Sequence, residues 1–183
     1  MQEGSSMSRL LTAGVALGLA LSAAGVAPAR ADSDEAFFRK VSGQWSGPGE
    51  IVAGKYKGTK FVCNFAGNQS RKSVGVALEG SCRVGLFSQP MRAEVVRAGS
   101  SYRGAFQDGA AGKGLDIVSG DVSGNRMIVG LDRKQLKGAM IARLDGDDQL
   151  AVTISVTVAS QLVPVIGMSL KREGGSRQSA LTD

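Results

Sequence analysis

Histidine is missing altogether from this chain of 183 residues. Its absence removes the usual general base near neutral pH, the Ser-His and Cys-His nucleophile pairs, the commonest metal ligand and axial haem ligation by imidazole. Carboxylates and lysines remain, but no spacing brings two of them into a catalytic arrangement. The chain is therefore expected not to be an enzyme and to carry no cofactor or catalytic metal. Aromatic residues are also scarce, with one tryptophan, two tyrosines and six phenylalanines. So few cannot build a base-stacking platform, and nucleic acid is not an expected partner. Cysteine is limited to Cys63 and Cys82. They lack the close spacing of a metal or redox pair, and in an oxidising compartment an even pair reads as one disulfide. Closing a loop of about twenty residues would contribute roughly 3 kcal/mol through the unfolded state.

Such a compartment is indicated by the N-terminus. Met7-Ser8-Arg9 precedes an apolar and small-residue run from Leu10 to Val26, followed by Ala29-Arg30-Ala31 and Asp32. This order reads as a secretory signal, residues 1–31, cleaved after an A-x-A site. The many alanines and glycines in the run favour cleavage over a membrane anchor. The remaining chain is then periplasmic or secreted, long enough for one domain with one core, and still basic, since the whole carries a formal charge of +6.

What the chain has in quantity is glycine, 26 residues, about twice the usual share near 7%. Each interior glycine costs a helix about 1 kcal/mol, so a helical bundle is excluded, whereas tight turns and bulges accept it. Hydrophobic periodicity agrees. Val74, Val76, Leu78, Gly80, Cys82 and Val84 alternate with polar or small residues, and so do Leu150, Val152, Ile154, Val156 and Val158. Shorter alternating runs lie between these two, separated by turn signals such as Ser123-Gly124-Asn125 and Asp145-Gly146-Asp147-Asp148. The three aspartates there read as an acidic hairpin turn and not as a calcium loop. Gly109-Ala110-Ala111-Gly112-Lys113-Gly114 lacks the spacing of a phosphate-binding loop and reads as a flexible connection.

The predicted class is all-β. It is a single antiparallel up-and-down β-barrel of eight to ten strands over residues 32–172, with a short N-terminal helix and a β-sandwich as the alternative. Gly47-Pro48-Gly49 is expected to kink the first strand, and the last is expected to begin after Pro164. The helix is placed at residues 32–41, with Asp32 or Ser33 as cap, Asp34 and Glu35 in its first turn, Phe37, Phe38 and Val41 on one side and Gly43 as stop. Residues 173–183 have no apolar rhythm and are expected to be disordered.

Gly43-Gln44-Trp45, at the start of the first strand after a short helix, resembles the G-x-W signature of lipocalins and their calycin relatives. That resemblance implies an eight-stranded cup for small hydrophobic ligands. Trp45 would plug its closed end, and a basic residue of the final strand, Lys171 or Arg172, would pack across the ring as a cation–π contact. In size, compartment and single disulfide the chain is also similar to bacterial metalloprotease inhibitors, which implies a barrel with an inserting N-terminal segment.

Candidate lining residues for a cup are Phe61, Phe65, Phe106, Met127, Met140 and Met168, which could equally fill a small barrel. Basic residues cluster in three turns: Lys55, Lys57 and Lys60 around Tyr56, Arg71 with Lys72, and Arg133, Lys134 and Lys137. On one shared rim they would suit fatty acids, anionic lipid or acidic envelope polysaccharide, while solubility and edge protection are the plainer account. The function expected is thus an exported, non-enzymatic barrel for a small apolar or anionic ligand such as a lipid or fatty acid. The alternative is an envelope interaction protein or inhibitor with a filled core. No signal bears on oligomeric state.

Overall fold

A computed structural model describes residues 28–107, 115–134 and 136–174, with side chains from Asp32 onward. The expected signal up to residue 27, the glycine-rich connection at 109–114 and the tail from 175 lie outside the described residues. The chain forms helix α1 (Pro28–Val41) and ten strands. These are β1 (Gly43–Ile51), β2 (Lys60–Gln69), β3 (Gly75–Val84), β4 (Phe87–Ala98), β5 (Ser101–Gln107), β6 (Leu115–Ser123), β7 (Arg126–Arg133), β8 (Leu136–Asp145), β9 (Gln149–Val158) and β10 (Gln161–Arg172). Each strand pairs antiparallel with its neighbour in sequence, and β1 closes the barrel against β10. The sandwich alternative does not apply, and the strand number is ten where the lipocalin resemblance implied eight.

Alternation directs one residue in two inward. Val122, Met127, Val129, Leu144, Leu150 and Val152 are buried in a single core together with Phe37, Phe38 and Val41 of the helix. Successive hairpin turns of an up-and-down meander must fall at opposite ends. One end therefore holds α1, the start of β1, the end of β10 and the turns β2–β3, β4–β5, β6–β7 and β8–β9. The other, open end holds β1–β2, β3–β4, β5–β6, β7–β8 and β9–β10.

Pro48 and Pro164 both lie within strands, Pro48 in β1 and Pro164 in β10. β1 runs through Gly47-Pro48-Gly49 while paired with β2 throughout. On its β10 side the ladder lapses after Ser46↔Lys171 and resumes in the same register at Gly49↔Met168, the gap falling where Pro48 has no N–H to donate. A Cβ on Gly47 would lie 2.9 Å from the Leu170 Cα and also meet the Ser169 carbonyl, so glycine permits the close approach of the closing strands. β10 likewise continues through Pro164, with its register shift between Pro164 and Ile166, the irregularity a sheet proline needs.

The helix also differs from expectation. It is already running at Pro28, so Asp32 and Ser33 do not cap it and Asp34 lies beyond its first turn. At the other end Ser42 donates N–H and Oγ–H to the Phe38 carbonyl, and Gly43, at φ +129°, turns the chain into β1. Cys63 and Cys82 stand directly opposite on β2 and β3 and form a disulfide.

Candidate functional site

Four places carry chemistry, and the first is the helix end. The Trp45 side chain is 1% exposed, and its indole N–H donates to the Val41 carbonyl at 2.7 Å. The Arg172 guanidinium carbon lies 4.3 Å from the indole centre. Arg172 also donates to the carbonyls of Ser42 at 2.8 Å, Asp147 at 2.7 Å and Lys40. The last carbonyls of a helix have no partner within it and carry partial negative charge. Arg172 and Trp45 supply the missing donors, so this arrangement closes the barrel at the helix end. Of the two basic residues expected near the ring, Lys171 is exposed. The acidic β8–β9 turn joins the same seam, with Lys40 Nζ 2.8 Å from Asp147 Oδ1. That hydrogen bond and charge hold the Asp147 carboxyl below its usual range.

The second place was missed by the sequence reading. Asp34, 5% exposed, accepts the Tyr102 hydroxyl at 2.7 Å and pairs with the Arg97 guanidinium. Arg97 donates in turn to the Tyr102 oxygen at 3.1 Å. Arg97 and Tyr102 face each other across the β4–β5 hairpin, and the Phe38 ring packs on Tyr102 at 5.2 Å. Burial, reinforced by the hydrogen bond to Asp34, pushes the Tyr102 hydroxyl up to about 12 against the opposing effect of Arg97. The bond to Tyr102 likewise raises Arg97, with Asp34 adding to it. A signal was present. Asp34, Phe37, Phe38 and Val41 fall at i, i+3, i+4 and i+7, and an acid on an apolar helical stripe requires a cation beneath it. The triad clamps α1 to the barrel.

The third place is the interior. Phe65, Phe106, Met127, Met140 and Met168 line an apolar cavity of about 70 Å³ whose floor is Phe37, Val41 and Trp45. Phe61 is not among the lining residues. It pairs with Gly49 near the open end, where its ring and Met168 fill the space a Cβ on Gly49 would need.

The fourth place is the open rim. The three basic turns do not share it, because consecutive turns alternate ends. Lys55, Lys57 and Lys60 join Arg133, Lys134 and Lys137 there, whereas Arg71 and Lys72 sit at the helix end, with Lys72 Nζ 2.9 Å from Glu94. The open rim also carries Leu86 at 98% and Phe87 at 84% exposure, a pair the sequence reading passed over as an unremarked turn between β3 and β4.

No family model matches the chain, and no curated protein matches it by sequence. Among solved structures, that of Rv2717c from M. tuberculosis aligns with a TM-score of 0.59 and 14% identity over 76% of this chain and 97% of that one. The chain has the fold of a small closed β-barrel. A protein of unknown function from the DUF3598 family of Nostoc punctiforme aligns at TM-score 0.47 and 11% identity, over 74% of this chain and 48% of that one. The likeness to Rv2717c concerns architecture and points to neither the lipocalin nor the protease-inhibitor family.

Proposed function

We propose that this chain is an exported, non-enzymatic barrel that acts through its open rim, with an interior that is structural filling. One observation carries the reading. The interior retains a cavity of about 70 Å³, while pockets for drug-sized ligands run about 300–1,000 Å³; the largest exposed apolar side chains, Leu86 and Phe87, stand outside it. The helix end carries the hydrogen bonds that close the barrel, and the rim carries the most exposed apolar side chains, which favours the rim as the surface for a partner.

A second reading is a small apolar ligand held inside, favoured by the predominantly apolar lining with Met127, Met140 and Met168, whose unbranched side chains can repack. Native mass spectrometry and solvent extraction of the purified chain separate the two. The surface reading expects no bound molecule and no change in Trp45 fluorescence on titration with fatty acids. Recovery of a stoichiometric apolar compound overturns it in favour of the second.

A further inference from the structure

The open rim combines apolar tips with cations. Gly85, at φ +56°, starts the two-residue turn that joins Val84 to Phe87 and carries Leu86 into solvent. Residues 83–90 are all exposed. Below Arg92↔Gln107 the described residues give β4 no pairing with β5, while on the other side β3 stays paired with β2 as far as Val62↔Arg83. At the same end Val158 and Leu162 are exposed on either side of the Ala159-Ser160 turn, whose two residues both adopt positive φ. In the β1–β2 loop Tyr56 is exposed, with the Lys55 ammonium 5.5 Å from its ring.

The cations are Lys55, Lys57, Lys60, Arg83, Lys134 and Lys137, each exposed. Among the described residues the acids of this end are Glu50, Asp116 and Asp132, whereas Asp34, Glu35, Asp121, Asp145, Asp147 and Asp148 gather at the helix end. The helix end also holds nine arginines and lysines, from Arg39 and Lys40 to Lys171 and Arg172, which offset its acids, so the larger positive excess lies at the open end, where the apolar side chains are exposed.

Resting on the reading that the rim is the working surface, we propose that it docks on an anionic phospholipid bilayer. Leu86 and Phe87 would enter the headgroup boundary and the lysines would lie against lipid phosphates. Three features favour lipid over a protein partner. The charge is complementary to an anionic leaflet. The apolar side chains stand on separate turns with lysines among them, so a protein would need a matching pocket for each, while a fluid interface admits each independently. The tips are aromatic and aliphatic, the composition of interfacial anchors. Among the described residues the barrel wall exposes Asn64, Glu79, Arg103 and Arg143 beside Val62, Val118 and Ile128, polar and charged groups that a lipid-facing belt would not carry, so the barrel would lie on the membrane and not span it.

Co-sedimentation of the purified chain with vesicles of phosphatidylcholine, with and without phosphatidylglycerol, tests this. Binding is expected only with phosphatidylglycerol and should weaken as salt rises. Leu86→Asn with Phe87→Asn should lower the partition coefficient about tenfold or more, and Lys55→Gln with Lys57→Gln severalfold. Leu86 and Phe87 are almost wholly exposed and Lys55 meets only the exposed Tyr56 ring, so thermal melts should match the parent. Parent and variant share one N-terminus, so any contribution from residues 10–26 cancels. Equal sedimentation of the parent and the Leu86/Phe87 variant overturns the proposal, as does no sedimentation of either. If vesicles are ignored but a photo-crosslinker at position 86 traps a protein in the cell envelope, the lipid is wrong and the surface reading stands. A stoichiometric ligand inside the barrel would instead overturn the surface reading itself.

Discussion

The guanidinium of Arg172 stands 4.3 Å from the centre of the Trp45 ring while donating to the carbonyls of Ser42 and Asp147. One side chain thereby ties the end of the last strand to the start of the first, to the C-terminus of the helix and to the β8–β9 turn. Gly43 leaves room for it, since a Cβ there would collide with the guanidinium.

Trp45→Ala should therefore cost about 3–5 kcal/mol, as truncation of a buried aromatic does. Arg172→Lys should cost about 1–2 kcal/mol despite keeping the charge, because a single ammonium cannot cover the indole and reach three carbonyls together. Urea unfolding followed by far-ultraviolet circular dichroism measures both. A Trp45→Ala protein as stable as the parent would show that Trp45 does not close the barrel.

The barrel was legible because a half-buried strand writes its period directly into the sequence, as in Leu150, Val152 and Ile154, and because glycine marks the turns. Trp45 could be placed from its position after a short helix. Three features were not legible. Local rules read Pro48 as a kink and Pro164 as a break, but tertiary pairing on one side tolerates them at a gap and a bulge. Asp34 satisfies a helix-start rule as readily as a buried pair, and only knowledge that Arg97 lies beneath it decides between them. The split of the basic turns follows from strand parity, which required the strand count to be right.

Asp34 gives a second prediction. Asp34→Ala should cost about 2–4 kcal/mol, toward the lower part of the range for a broken buried pair, since the Arg97 side chain is 25% exposed and solvent recovers part of the loss. A double-mutant cycle with Arg97→Met should give a coupling of about 1–3 kcal/mol. Additive losses would mean that the pair does not hold the helix. The readout specific to the clamp is hydrogen exchange, which should rise in α1 before it rises in the strands.

The cysteines give a third. Cys63 and Cys82 are 19 positions apart, so replacing both with alanine should cost roughly 3 kcal/mol by loop-closure entropy. Mass analysis of the unreduced chain under alkylation should find no free thiol. Two alkylated cysteines in protein recovered from its native compartment would contradict the pairing and the expected export alike.

Tyr102 gives the last, and its sign can be worked out. The hydroxyl is pushed from 10.0 to about 12 in the folded chain, so the native state holds its proton where the unfolded chain releases it. Its contribution to stability is fully present below pH 10 and is lost as pH rises through about 12. The informative quantity is the difference between the parent and Tyr102→Phe, in which the background of every other group cancels. The advantage of the parent should be constant up to about pH 10 and shrink above it. In a Tyr56→Phe background Tyr102 is the remaining tyrosine, and its phenolate absorbance should rise near pH 12 in the folded protein and near pH 10 in denaturant. A folded midpoint near 10 would mean that the hydroxyl is neither buried nor held by Asp34, and the clamp on α1 would have to be sought elsewhere.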